Sequence, residues 1–365
     1  MGIIGLQDKN LYYIGGAVRD EILGEKIFDI DMAYTGDAVE YAKTIRDAEI
    51  LKINEKFGTV KIKLEGREID IASTRSETYP APGHLPEVKN IGCALKEDVL
   101  RRDFTINALA KSTLTGEIID YTSGLDDIKS KTLRVLHDNS FIEDPTRIVR
   151  GLKFSVRFGF QYDEHTRRLQ QDYLKNINYD MSYKRLKKEL EQTFNLNSQL
   201  AFDKFIQEGI YKLIAPQNFI PPKINIEELV KRYKPDCIWI VYAGLLDDIS
   251  SLPLTKAEKK IADDYRAVKD KNLTSYMEIY EAFHGLNIES VLMYAAAKDA
   301  APVVRYLDYL RNIKLEITGA DLKNLNIKPS EKYKKCFKEV LKEKFKNPAM
   351  TKSEEIEIAK LFLGI

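Results

Sequence analysis

The chain has 365 residues, 44% hydrophobic and 31% charged, with a formal net charge of +1. That length exceeds one ordinary core and implies two or three globular domains, while no apolar run approaches the length of a membrane span. Near-neutral charge excludes a protein that grips nucleic acid by bulk basicity, so any basic surface has to be local.

The N-terminal MGIIGLQDKN shows no basic segment followed by an apolar one, so no secretory leader is expected. Cys93, Cys237 and Cys336 are far apart and odd in number, the pattern of reduced thiols rather than of a disulfide frame or zinc site. A cytoplasmic protein with no membrane partner is the expectation. His84, His137, His165 and His284 lack metal-ligand spacing and read as structural or surface residues.

The first informative stretch is Tyr12–Tyr34, YYIGGAVRDEILGEKIFDIDMAY. Leu11–Ile14 has the apolar bias of a buried strand. Gly15 and Gly16 then permit a tight turn and a close backbone approach to an anion. Val18–Leu23 carries a short helical pattern that stops at Gly24. A second strand is predicted from Phe28 to Tyr34, with Asp29 and Asp31 on one face and Phe28, Ile30 and Met32 on the other. Two neighbouring carboxylates repel unless a cation sits between them, and oxygen ligands at this spacing suit Mg²⁺.

Either feature alone is common, but GGAVRD followed by DID within one unit resembles the nucleotidyltransferase core of the DNA polymerase β superfamily. More narrowly, the chain resembles the class II tRNA nucleotidyltransferases, which include CCA-adding enzymes and bacterial poly(A) polymerase relatives. The resemblance implies an α/β nucleotidyltransferase head, with a small mixed or antiparallel sheet and helices, followed by an all-α neck, body and tail.

Asp37–Ile45 reads as a helix capped by Thr35 or Asp37. Gly58–Leu64 and Arg67–Ser73 read as two strands joined at Glu65-Gly66, with Asp70 facing away from Ile69 and Ile71. An antiparallel neighbour to the Asp29/Asp31 strand would bring Asp70 to the same metals, and the resemblance implies it as the third metal carboxylate. Ser76–Asn90, with three prolines and a glycine, reads as a long loop. The resemblance implies a flexible loop over the active site.

In Leu95–Lys111, Leu100, Phe104, Ile106 and Leu109 supply an apolar side, and Arg101-Arg102-Asp103 form a charged knot. The string RRDFTINALA, including Asn107, matches a second family motif. The chemistry suits phosphate recognition by guanidiniums and acceptance from a ribose hydroxyl by a carboxylate. Ile118–Asp127 resembles a third motif, read as structural.

Asn139–Phe160 is predicted helical, with Asp144 as N-cap, Pro145 at the first turn, an apolar stripe of Ile148, Val149, Leu152, Val156 and Phe158, and Gly159 as stop. Arg147, Arg150, Lys153 and Arg157 fall on roughly one face. Glu143-Asp144-x-x-Arg147 matches the family's nucleotide-selecting motif. Adenine and cytosine each present an amine donor beside a ring-nitrogen acceptor; Asp144 only accepts and Arg147 only donates. Guanine and uracil present the reverse pattern and leave polar groups unpaired. Glu143 is expected to orient Arg147.

Ser182–Phe194 resembles a fifth motif in Ser182, Arg185, Glu189 and Leu190, with Lys184 in place of the expected acid, and reads as scaffold. From about residue 198 helices follow one another, broken at Gly209, Pro216, Pro221-Pro222, Pro235 and Pro253. Ile317–Leu322 and Ile327–Ser330 resemble the tail of bacterial members. Glu331–Lys346 holds seven lysines and three glutamates, with Tyr333, Phe337 and Phe345 interleaved. A phosphate-backbone contact and an ordinary solvated helix both suit it.

The expected domains are a head at 1–137, a neck at 138–200 and a body and tail at 201–365. The resemblance implies transfer of CMP and AMP from CTP and ATP to a tRNA 3′ end. One Mg²⁺ on Asp29, Asp31 and Asp70 would activate the RNA hydroxyl, and a second on Asp29 and Asp31 would hold the triphosphate. Gly15, Gly16 and Arg19 would line the phosphates; Arg101, Arg102, Asp103, Asn107 and Arg150 would help hold the nucleotide. Addition of CC alone or A alone, poly(A) synthesis, and RNA binding without catalysis are the rival readings.

Overall fold

A computed structural model describes residues 6–196, 198–215, 219–220, 225–246, 248–325 and 331–365. The chain divides into two compact units, one of residues 1–217 with 251–253 and one of 218–250 with 254–365.

In the first unit the chain runs β1 (Leu11–Ile14), α1 (Gly16–Leu23), β2 (Ile30–Tyr34), α2 (Ala38–Thr44), β3 (Glu49–Asn54), β4 (Thr59–Leu64) and β5 (Arg67–Ser73). There follow β6 (Arg75–Thr78), β7 (Glu87–Ile91), α3 (Leu95–Leu100), β8 (Leu109–Ser112), β9 (Ile118–Asp120), α4 (Gly124–Ser130) and β10 (Thr132–Leu133). The rest is α5 (Ser140–Glu143), α6 (Thr146–Phe158), β11 (Gln161–Tyr162), α7 (Glu164–Lys175), α8 (Tyr183–Phe194) and α9 (Ser198–Gln207). Seven strands form one mixed sheet in the order β3-β4-β5-β2-β1-β8-β9.

Period-two patterning explains the sheet's two faces. In β5, Ile69 and Ile71 are fully buried while Glu68 and Asp70 turn outward; in β2, Met32 is buried beside outward Asp31. Helix α2, capped by the Asp37 side chain on the amides of Val39 and Glu40, packs over β4 and β5.

Several expectations are corrected. β2 begins at Ile30, so Asp29 stands ahead of the ladder and Phe28 is 72% exposed rather than packed. β5 runs parallel to β2, not antiparallel, with Asp31 and Asp70 in direct register. The intervening chain makes this possible, since α2 carries it back before β3 and β4 return it. The 76–90 segment is not structureless: β6 and β7 pair as an antiparallel ribbon. Leu100 is 41% exposed. Helix α6 starts at Thr146 after Pro145, and Asp144 sits just ahead, its Oδ1 accepting from the Thr146 amide at 3.1 Å.

The expected boundaries at 137 and 200 do not divide the chain, because head and neck share apolar packing. Phe104 of the head meets Phe154 of α6 edge-on at 5.9 Å, and Gly151 leaves room for that approach, since a Cβ there would lie 3.0 Å from the Phe104 ring.

The second unit is helical among its described residues. Its helices are α10 (Glu227–Tyr233), α11 (Ile238–Ala243), α12 (Lys256–Val268), α13 (Tyr276–Phe283), α14 (Ile288–Ala297), α15 (Ala300–Asp308), α16 (Gly319–Asn324), α17 (Glu331–Lys344) and α18 (Lys352–Leu363). Capping boxes at Thr255, Ser275 and Thr351 open α12, α13 and α18. Pro216, Pro221-Pro222 and Ile327–Ser330 lie outside the described residues. On α17 the aromatic residues do not alternate with lysines on an open face. Phe345 is buried, Tyr333 and Phe337 pack on the Leu322–Val340 cluster, and Lys344 closes on Glu355. Lys334, Lys338, Lys342 and Lys346 each meet a glutamate, which favours the ordinary mixed-charge helix.

Candidate active site

A cavity of about 550 Å³ opens in the first unit. It gathers twelve of the fourteen nominated residues: Gly15, Gly16, Arg19, Asp29, Asp31, Arg101, Arg102, Asp103, Asn107, Asp144, Arg147 and Arg150. Asp70 and Glu143 do not line it.

The floor is the β1–α1 turn. Gly15 has φ +64, a backbone conformation that demands glycine, and Arg102 Nη1 lies close over it, 2.9 Å from where a Cβ would stand. No side chain caps the start of α1, leaving its first amides to face a ligand.

The acidic wall is Asp29 and Asp31. Loss of water around Asp31, then repulsion from Asp70 and Asp29, raises its carboxyl above the usual range, with Arg102 and Lys61 opposing. Asp70, opposite Asp31 in register, is held by Lys61 at 2.8 Å. Among the described residues no three acidic, histidine or cysteine side chains gather as a ready metal set.

The cationic wall is mostly committed internally. Asp103 accepts from the Phe104 amide at 2.8 Å and Asn107 at 2.9 Å on one oxygen and from Arg150 Nε at 2.7 Å on the other, where Arg150 Nη2 adds an ion-pair contact at 2.7 Å. Three of its four acceptor positions are taken, which leaves one for a ribose hydroxyl. Burial alone would raise its pKa, but Arg150, Asn107 and Arg147 outweigh this and hold it well below the carboxylate range. Arg101 is spent on buried Asp98 and on Glu77, at 2.7 and 2.9 Å, rather than offered to phosphate. Arg19 is 4% exposed, paired with Asp20 and Asn107, and lies against the Phe154 and Phe158 rings, 5.0 and 4.9 Å from their centroids. Asn107 thereby acquires a role: it ties Arg19 to Asp103.

Arg102 differs. Its Nη2 meets Asp98 at 3.0 Å, but its buried Nε has no partner among the described residues. An arginine side chain 23% exposed, lining the cavity beside the glycine turn and Asp31, is suited to a phosphate oxygen.

At the far end stand Asp144 and Arg147. Arg147 donates to Ser140 Oγ at 2.8 Å, to the Arg101 carbonyl at 3.2 Å and to the Tyr79 hydroxyl at 3.3 Å. Glu143 faces His137 at 3.4 Å, and the same His137 Nε2 lies 3.5 Å from Arg147 Nη1. Asp144 Oδ1 takes the Thr146 amide and hydroxyl, and Oδ2 takes Arg185. Arg185, read from the sequence only as scaffold, lines the cavity with Lys153 and Arg157, as does Tyr79 of the ribbon. Their signals were faint: the α6 row gave Lys153 and Arg157, and nothing in the sequence tied Arg185 to Asp144. The third motif is structural as read. Gly124 lies under the Thr105 carbonyl, and Asp127 accepts from Thr105 Oγ1 at 2.6 Å, bracing the arginine knot.

Residues 11–134 match the poly(A) polymerase head domain. The chain is 33% identical to an A-adding tRNA nucleotidyltransferase of Geobacter sulfurreducens over 96% of its own length, but spans only 44% of that relative. It is 27% identical to the A-adding tRNA nucleotidyltransferase of Halalkalibacterium halodurans, covering 97% of this chain and 89% of that one. A solved Thermotoga maritima CCA-adding enzyme complexed with tRNA superposes with a TM-score of 0.76 at 26% identity, covering 97% of this chain and 90% of that one. The glycine turn, the paired aspartates and the arginine knot thus stand in a head that matches the poly(A) polymerase head domain, and the chain is similar along nearly its whole length to A-adding and CCA-adding tRNA nucleotidyltransferases.

Proposed function

We propose that the chain is a tRNA nucleotidyltransferase that builds the CCA end from CTP and ATP. The observation that carries this reading is one cavity holding, in sequence along its walls, an open carboxylate pair, a glycine turn with Arg102 over it, and a base-sized polar pair.

Asp29 and Asp31 fit a divalent cation, since Mg²⁺ is usually held by one or two carboxylates completed by substrate phosphates. When bound, such a cation supplies an acidified 3′-hydroxyl and neutralises the departing pyrophosphate. The protein's own part is positioning. Arg102 and the first amides of α1 receive phosphate oxygens, and Gly15 and Gly16 let the backbone approach them.

Base choice follows from what Asp144 and Arg147 have left to offer. A carboxylate has four acceptor positions; Thr146 and Arg185 occupy three at Asp144, so one remains. Arg147 spends both terminal nitrogens on His137, Ser140, Tyr79 and Arg101, leaving its Nε–H. One acceptor beside one donor matches adenine and cytosine and mismatches guanine and uracil. The helical second unit would hold the tRNA body. Support for that comes from the overlay on a relative solved with tRNA.

A second reading, addition of the terminal A alone, is favoured by the names of the two relatives that match nearly the whole chain. The test uses tRNA transcripts ending before CCA, after C and after CC, incubated with Mg²⁺ and CTP, ATP or both. Completion of every transcript with both nucleotides establishes CCA addition. Extension of only the CC-ended transcript establishes A addition, long A-tails would make the chain a poly(A) polymerase, and no extension at all overturns the proposal.

A further inference from the structure

The acidic wall continues beyond the cavity in a way that bears on how a cation is loaded. Register pairs align Lys61 of β4, Asp70 of β5 and Asp31 of β2 in one row across three strands. Glu68 lies two residues before Asp70 and so on the same face. Lys61 Nζ reaches both, at 2.8 Å from Asp70 and 3.3 Å from Glu68. The Glu68 and Asp70 side chains are 63% and 48% exposed, so nothing packs the ammonium into one position.

We propose that Lys61 competes with a divalent cation for Asp70, and that Glu68 receives the ammonium when the cation takes its place. The inference rests on the cation site read above at Asp29 and Asp31. It accounts for two observations that otherwise conflict. Asp70 stands directly beside Asp31, yet it does not join the cavity lining, and no three-carboxylate set forms among the described residues. A carboxylate neutralised by an ammonium is a poor ligand, and a mobile, exposed ammonium is a weak competitor. An exposed ion pair commands only a small free energy, so the exchange is easy and the effect of removing it modest. Lys61 therefore keeps the wall from accumulating three uncompensated charges, without blocking the third ligand.

The two partners of Lys61 give effects of opposite sign. The measurement is Mn²⁺ affinity of the full chain without nucleotide or RNA, by titration calorimetry. Lys61→Met frees Asp70 and should tighten binding about two- to five-fold. Glu68→Gln confines the ammonium to Asp70 and should weaken binding about two-fold. Both effects should vanish when Asp70→Asn is present, because the competition then has no object. Unchanged or weaker binding by Lys61→Met overturns the proposal, as does an equal gain in the Asp70→Asn background. Asp31→Asn separates the two layers: it should lose Mn²⁺ binding by at least ten-fold, and if it does not, the cation site itself is misplaced.

Discussion

The two walls of the cavity are built from the same kinds of side chain and treat them oppositely. On the β2 side, Asp29 and Asp31 face the open cavity, and loss of water, then repulsion from Asp70 and Asp29, pushes Asp31 above the usual carboxylate range. On the α6 side, Asp103 is 7% exposed and held by three hydrogen bonds and an ion pair, and Arg150, Arg101 and Arg19 are each closed on an internal partner. Charge left unsatisfied marks where a ligand acts; charge fully satisfied is scaffold. Neighbours in sequence fall on different sides of that line. Arg101 commits all three nitrogens to Asp98 and Glu77, while Arg102 commits only Nη2 to Asp98 and its buried Nε has no partner among the described residues.

The comparison is broken most forcefully at Asp29. Asp29→Ala should lower nucleotide incorporation by at least about a thousandfold, the scale of losing cation-assisted charge stabilisation, while tRNA affinity by filter binding stays within a few fold. Retained incorporation would remove the acidic wall from the chemistry. Next in size, Asp144→Ala should cut the preference for ATP over GTP by about ten- to a hundred-fold and slow addition; unchanged selectivity would remove Asp144 from base choice.

The adjacent arginines sharpen the contrast. Arg102→Ala should raise the KM for nucleotide by roughly ten-fold, one charge-assisted hydrogen bond's worth, and lower melting by less than Arg101→Ala does, since it takes one arginine from buried Asp98 and none from Glu77. Arg101→Ala should instead destabilise by about 3 kcal/mol, since it strips Asp98 and Glu77 of a buried partner. The smallest effect is a pH dependence. The folded pKa of Asp103 lies below its unfolded value, so its stabilisation is fully present above about pH 4 and lost as pH falls. Melting temperature between pH 6 and pH 3 should fall more steeply for the wild type than for Asp103→Asn. Parallel slopes would show that the Asp103 ionisation is not coupled to folding.

Much of this was legible in the sequence. Clean period-two alternation in Arg67–Ser73 placed β5, and glycines at 15, 16 and 159 placed their turns. β3 went unread because its Ile50-Leu51 pair breaks the alternation, and the structure has a register shift between Ile50 and Lys52. The β6–β7 ribbon was hidden by prolines at its tip and by strands held through Arg75–Glu77 and Arg101–Glu77 pairs rather than an apolar stripe. In the site, residue types and positions were readable, but saturation was not. Whether Asp103 faces a ribose or Arg150 depends on a contact between residues 47 apart in sequence, and whether Glu143 reaches Arg147 or His137 depends on the bend between α5 and α6.

The central claim is that the open wall does chemistry and the closed wall holds shape. The most direct test measures melting temperature and incorporation side by side for Asp31→Asn and Asp103→Asn. The account predicts that Asp31→Asn melts no lower than wild type, because a repulsion is relieved, yet loses incorporation. Asp103→Asn should melt well below wild type, by about 3 kcal/mol of stability, because Arg150 loses the nearer of its two buried counter-charges and keeps only Glu189. A strongly destabilised Asp31→Asn, or an Asp103→Asn that melts like wild type, would contradict it.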